Sequence, residues 1–377
     1  MTVAVPALTA LLAALFTVLL LDQWRERRHG FQLAWAVGML CYALGSGAEA
    51  LAAANGWSEP LYRAWYLAGG ILTAAWLGLG TGFLLGRTRF GYTYAALFLL
   101  AGFVALMGGI SPKNASAGLV PFAYAIGAFV TAAAIFVASY FASDRWPRLA
   151  AALVGVLSLV GIGITVAMPP LPPPGYVLNS AGQPIGDAMP AYLHLLAPVM
   201  NIPGGTALLL GAVFSAYVFM PKRRVLAYSL DPTQPGDQFL FNLLIAVPAI
   251  AVNFVASLPG AVRELLAGRL HSRVPATLLI AAGAFVPLVS DSLSVFNSGA
   301  ISDVAKLVGV VLLLAGFLVS TEVFREVRIP LTSIRLATAS RERARRRDAV
   351  AAAAAGAGLI PEAAADVSPD PAAASPR

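Results

Sequence analysis

Ten runs of apolar residues follow one another along the 377-residue chain, each close to the length a helix needs to cross a bilayer. About 20 apolar residues span a hydrocarbon layer of roughly 30 Å. Inside such a layer every backbone N–H and C=O must be satisfied within the segment, so the runs predict helices. They are Val5–Leu21, Phe31–Ala54, Leu61–Leu85, Tyr92–Ile110, Gly118–Ala142, Leu149–Met168, Leu193–Met220, Phe239–Val262, Pro275–Asn297 and Val304–Phe324. The expected fold class is an all-α polytopic transmembrane helix bundle. The composition agrees: 59% of residues are hydrophobic and 11% charged, against about 25% charged in an ordinary soluble domain.

Charge placement sets the expected orientation. The loops after the first, third, fifth and seventh runs hold Arg25, Arg27 and Arg28, then Arg87 and Arg89, then Arg145 and Arg148, then Lys222, Arg223 and Arg224. The intervening loops hold Lys113. The positive-inside rule then puts the amino terminus outside and the carboxyl terminus in the cytoplasm. MTVAVPALTA carries no basic residue ahead of its apolar run, which predicts a retained first helix rather than a cleaved signal peptide. Net charge of +7 resides in these loops and the tail, so a nucleic-acid partner is not expected.

Phe239–Val262 interrupts this pattern. If it crosses, both the loop with Arg263, Arg269 and Arg273 and the arginine-rich tail land outside. Nine full spans plus one re-entrant or interfacial segment are therefore expected, with ten spans as the alternative. The bundle occupies residues 1–332: a seven-span part to 224, the inserted segment 225–274, and a two-span part 275–332. A basic juxtamembrane segment follows at 333–348, where Arg341, Arg343, Arg345, Arg346 and Arg347 are expected to contact anionic lipid headgroups. The Ala/Pro-rich stretch 349–377 has no core-forming pattern and is expected to be disordered.

An ionisable residue inside a span needs a partner or water, and so marks a candidate site. On the topology above Glu49, Arg63, His194, Asn201 and Asp291 all fall toward the outer face, which predicts an exterior-facing polar pocket. Glu49 and Arg63 form one expected pair. The competing expectation for Arg63 is a helical ion pair with Glu59 four residues earlier, behind an N-cap at Ser58. Trp57, Tyr62, Trp65 and Tyr66 read as an interfacial aromatic belt. Pro203, Gly204 and Gly205 predict a helix break in the seventh span. Asp303 and Lys306 faintly resemble a retinal-binding helix, but their spacing of three and the position of Lys306 at a helix start argue against it. No cofactor, metal site or catalytic motif is expected. The lone Cys41 excludes an intrachain disulfide.

FQLAWAVGMLCYALGSGAEAL followed by LYRAWYLAGG resembles the seven-helix membrane sensor modules of bacterial histidine kinases and cyclases. The resemblance covers Phe31 to Leu85. It implies a bacterial membrane location more than an activity. The expected function, drawn from the exterior-facing pocket, is a non-enzymatic sensor or accessory subunit working with a partner membrane or signalling protein in the bacterial cytoplasmic membrane. The chain departs from that group in having further apolar segments and no kinase or cyclase. The alternative reading is a small-solute or proton-coupled secondary transporter, with Glu49 or Asp291 as the protonated group.

Overall fold

The computed structural model describes residues 3–141, 145–180, 182–229, 236–267, 273–293, 299–319, 326–328 and 335–337. The chain is an all-α helix bundle. Its helices are α1 (Ala4–Arg27), α2 (Gly30–Asn55), α3 (Glu59–Ala64), a π-helix (Trp65–Leu72) running directly into α4 (Thr73–Leu84), α5 (Phe90–Ile110), α6 (Val120–Phe141), α7 (Trp146–Ala167), α8 (Ala191–Phe219), α9 (Gly236–Leu266), α10 (Arg273–Leu293) and α11 (Gly299–Val319). Two three-residue strands, Glu326–Arg328 and Arg335–Ala337, pair antiparallel. The residues expected to meet lipid headgroups, Arg341 to Arg347, and the expected disordered tail lie outside the described residues.

Six elements form a closed ring. α1 packs on α2, α2 on α4, α4 on α8, α8 on α10, α10 on α11, and α11 returns to α1. α5, α6 and α7 flank this ring on its α4–α8 side. The last two spans are thus part of the same bundle as the first. The ring interior is filled by Phe16, Leu20, Trp35, Met39, Leu77 and Phe317, all buried. Trp35 Nε1 donates to the Leu77 carbonyl at 3.0 Å, and its ring meets Phe317 at 4.5 Å.

By length and composition nine helices among the described residues can cross a membrane; these include Leu244–Glu264 of α9, while α10 contributes a shorter apolar stretch, Val274–Pro287. Packing sorts the two differently. Ala216, Tyr217 and Met220 at the end of α8 share a core cluster with Ala261 of α9 and Val274 at the start of α10. α9 therefore ends, and α10 begins, at the end of the bundle that carries Lys222 to Arg224. Asn253 Oδ1 accepts from the backbone N–H groups of Val225 and Leu226, and Ser257 Oγ from that of Arg223, so the strap after α8 is pinned along α9. α10 runs from this end to Pro287, beside the cavity described below. The re-entrant form expected for this segment is not what forms. α9 is one unbroken 31-residue helix that accommodates Pro248 and Pro259, each of which removes a single ladder bond while the rest persists.

The break expected at Pro203, Gly204 and Gly205 is absent too. α8 continues through it for 29 residues. Gly204 instead lets α8 touch α4: a Cβ on Gly204 would lie 2.4 Å from the Ala74 carbonyl oxygen, and one on Gly78 would lie 2.0 Å from that of Gly204. Without a bulk hydrophobic force between helices in lipid, such backbone-to-backbone contact is a main source of association. The departure from α geometry lies in the preceding hairpin instead, as the π-helix.

Candidate functional site

α2 carries Tyr42, Gly45, Ser46 and Glu49 at spacings of three, four and seven, which is one helical face. That face looks into the ring, toward the π-helix on one side and α11 on the other. Gly45 allows the approach to the π-helix, since a Cβ there would lie 2.8 Å from Gly69 Cα. In the π-helix each turn holds one more residue than in an α-helix, so the backbone pairs five apart. Thr73 shows it: its N–H and its Oγ1 both donate to the Ala68 carbonyl. Such single π turns recur at functional sites.

Glu49 is buried, and its Oε1 is the hub of the site. Lys306 Nζ of α11 donates to it at 2.7 Å, and Trp65 Nε1 at 2.8 Å. The ion pair joins residues 257 positions apart. The Tyr42 hydroxyl adds a second α2–α11 link by donating to the Lys306 carbonyl at 3.1 Å. Asp303, one turn before Lys306, is also buried and lies within electrostatic reach of both Lys306 and Glu49. Around these groups is a cavity of about 270 Å³. Its walls are the α2 face, Trp65, Gly69, Gly70 and Thr73, Pro287 of α10, and Ser302 and Lys306 of α11.

The loop between α7 and α8 roofs the cavity with Asn179, Gln183, Pro184 and Ile185. It is folded as a small hairpin: Ile185 N–H donates to the Val177 carbonyl at 3.1 Å and Asn179 N–H to that of Gln183 at 2.8 Å. Tyr62, fully buried, anchors it. The Tyr62 hydroxyl donates to the Ile185 carbonyl and accepts from Ala188 N–H. Tyr62→Phe removes both bonds to the half-buried Ile185 carbonyl and Ala188 amide, at a cost on the order of 1–2 kcal/mol. Hydrogen exchange across 177–188 is expected to quicken about five- to thirty-fold with the bundle amides unchanged; unchanged exchange in the roof would show that Tyr62 does not hold it.

The other sequence candidates are elsewhere. Arg63 does not pair with Glu49. It forms the helical ion pair with Glu59, and its Nη1 donates to the carbonyls of Thr165 (2.9 Å) and Met168 (3.2 Å) while Nη2 reaches that of Pro169 (2.7 Å). The unsatisfied carbonyls and negative dipole end of α7 capture the guanidinium. Ser58 sits at the N-cap position without a side-chain cap bond. Tyr62 and Tyr66 are buried beneath the roof, packed ring to ring with Trp57 and Trp65, and so do not form an outward belt. His194 stands 5.9 Å from the Tyr66 ring, away from the cavity lining. Asn201 braces the outer side of the π-helix: Nδ2 donates to the Gly70 carbonyl at 2.5 Å, and among the described residues the buried Oδ1 has no hydrogen-bond partner. Asp291 lies on α10, and its side chain falls outside the described residues.

Of the expected pocket residues with described side chains, Glu49 lines the cavity and Arg63, His194 and Asn201 do not. Lys306 is the residue that sequence reasoning passed over. The signal was present, since an ionisable group followed by LVGVVLLL sits in an apolar run. Asn179 and Gln183 gave no signal, because nothing in a polar loop says which bundle it covers. Among the described residues no group of His, Cys, Asp and Glu is arranged to hold a metal ion. No protein-family model, no characterised protein and no solved structure matches this chain.

Proposed function

We propose that this multi-pass membrane protein is a receptor-like component, a sensor or accessory subunit, that holds a small polar solute in the cavity between α2, the π-helix and α11. On the positive-inside reading it sits in a bacterial cytoplasmic membrane, and the roofed end faces outward. One observation carries the proposal. The cavity is polar at one end of the ring and sealed below, where Gly78 and Gly204 touch and Trp35, Leu77 and Phe317 fill the interior. Among the described residues, these contacts stand between Glu49 and the basic end of the bundle. The α2–α11 ion pair then reports occupancy, because a solute that competes for either charge alters the link closing the ring. A partner membrane protein would read that change.

The alternative, a small-solute or proton-coupled transporter, draws on the buried Asp303 beside the ion pair and requires the Gly78–Gly204 contact to open. The two separate by experiment. In nanodiscs, a bound solute at a hundred-fold excess over its Kd should stabilise the protein by about 2.7 kcal/mol. Glu49→Gln should remove that gain, and sealed vesicles should show no solute-dependent uptake. Uptake that Glu49→Gln abolishes would establish the transporter instead. Membrane-impermeant labelling of Ser180→Cys, on the exposed roof, and of Lys222→Cys should mark opposite faces.

A further inference from the structure

Resting on the binding role proposed above, we infer that the occupant is a small zwitterion, its cationic group on Glu49 and its anionic group on Lys306. The cavity wall presents one charge of each sign, from different helices. Both remain reachable. Glu49 Oε1 takes both the Trp65 indole and the Lys306 ammonium, and both charged side chains line the cavity. The Lys306 side chain is 22% exposed, against 5% for Glu49.

Charge balance selects the class. A lone anion on Lys306 draws the ammonium from Glu49 and leaves a buried carboxylate with only the Trp65 indole. A lone cation on Glu49 displaces the Lys306 ammonium from its carboxylate. Each leaves a desolvated charge under-compensated, which is the expensive situation in a low-dielectric interior. A zwitterion replaces one internal ion pair with two and adds no net charge. Asn179 and Gln183 line the roof as neutral polar groups bonded to each other, Asn179 Nδ2 donating to Gln183 Oε1 at 3.4 Å and Gln183 N–H to Asn179 Oδ1 at 2.9 Å. The volume of about 270 Å³ is at the small end for ligand sites, which suits a solute of a few heavy atoms. Because Asp303 adds a second carboxylate nearby, an amine analogue should lose less affinity than an acid analogue.

The test measures the thermal midpoint of the full chain in nanodiscs with glycine, β-alanine and γ-aminobutyrate as zwitterions, ethylamine and propionate as single charges, and glycerol as the neutral probe. At least one zwitterion should bind ten-fold or more tightly than ethylamine, and propionate should be weaker still. Glu49→Gln should bring the zwitterion down to the level of propionate, and Lys306→Met down to that of ethylamine. If either single variant fails to fold, Glu49→Gln/Asp303→Asn/Lys306→Met removes all three charges and should fold with charge preference gone. Glycerol binding as well as the zwitterions, or a ranking unmoved by the variants, overturns the zwitterion while leaving a solute receptor standing. No midpoint shift with any probe overturns both.

Discussion

Lys306→Met is expected to destabilise the protein by about 3–5 kcal/mol, the usual cost of removing one partner from a buried ion pair. Glu49 is then a buried carboxylate without its ammonium partner, the Trp65 N–H still donating to Oε1. Glu49→Gln should cost distinctly less. Glutamine keeps an oxygen for the indole, and Lys306 retains Asp303 one turn away. The double variant should return most of the loss, because replacing a buried pair by neutral groups of similar volume is commonly near neutral. Four unfolding curves in detergent, for the wild type, each single variant and the double, give the coupling directly. If Lys306→Met falls within about 1 kcal/mol of wild type, the pair is solvated and the ring is not closed through it.

The same residues show what could be read in advance. Glu49 was legible because a carboxylate among apolar residues of a helix demands a partner. The partner was not. Arg63 is near in sequence and of the right sign, but it lies beside four oxygen acceptors at the end of α7 and from Glu59. Lys306 is distant in sequence, and its position in the second turn of α11 made it resemble a helix-end charge. It becomes a cavity residue because α11 closes the ring between α10 and α1, and that closure is a long-range packing outcome. The π-helix was illegible for the same reason. Gly69-Gly70 permits the extra residue per turn, but the contacts of Gly45 with Gly69 and of Asn201 with Gly70 make it useful. Hydrophobic run lengths, being local properties, were enough to read the all-α bundle.

Pro203-Gly204-Gly205 offers an internal comparison with the second large effect. Gly204→Ala puts a Cβ 2.4 Å from the Ala74 carbonyl oxygen and 2.6 Å from Ala75 Cα, both backbone atoms that cannot rotate away. α4 and α8 must separate, and the loss should reach about 3 kcal/mol or more, the upper end for overpacking. Gly205→Ala puts its Cβ 3.8 Å from the Ala74 Cβ, an ordinary contact. In mid-helix it should be neutral or stabilise by up to about 1 kcal/mol through the better helix propensity of alanine. Two adjacent glycines thus carry opposite expectations from one crossing, and thermal midpoints of the two variants decide. Equal effects would mean that α4 and α8 do not meet at Gly78. The contact also separates the cavity from the basic end of the bundle. A Gly204→Ala protein that still assembles should therefore admit solute into sealed vesicles where the wild type and Gly205→Ala do not. Tight Gly204→Ala vesicles would mean that the apolar filling around Trp35 and Phe317 forms the seal without help from the glycines.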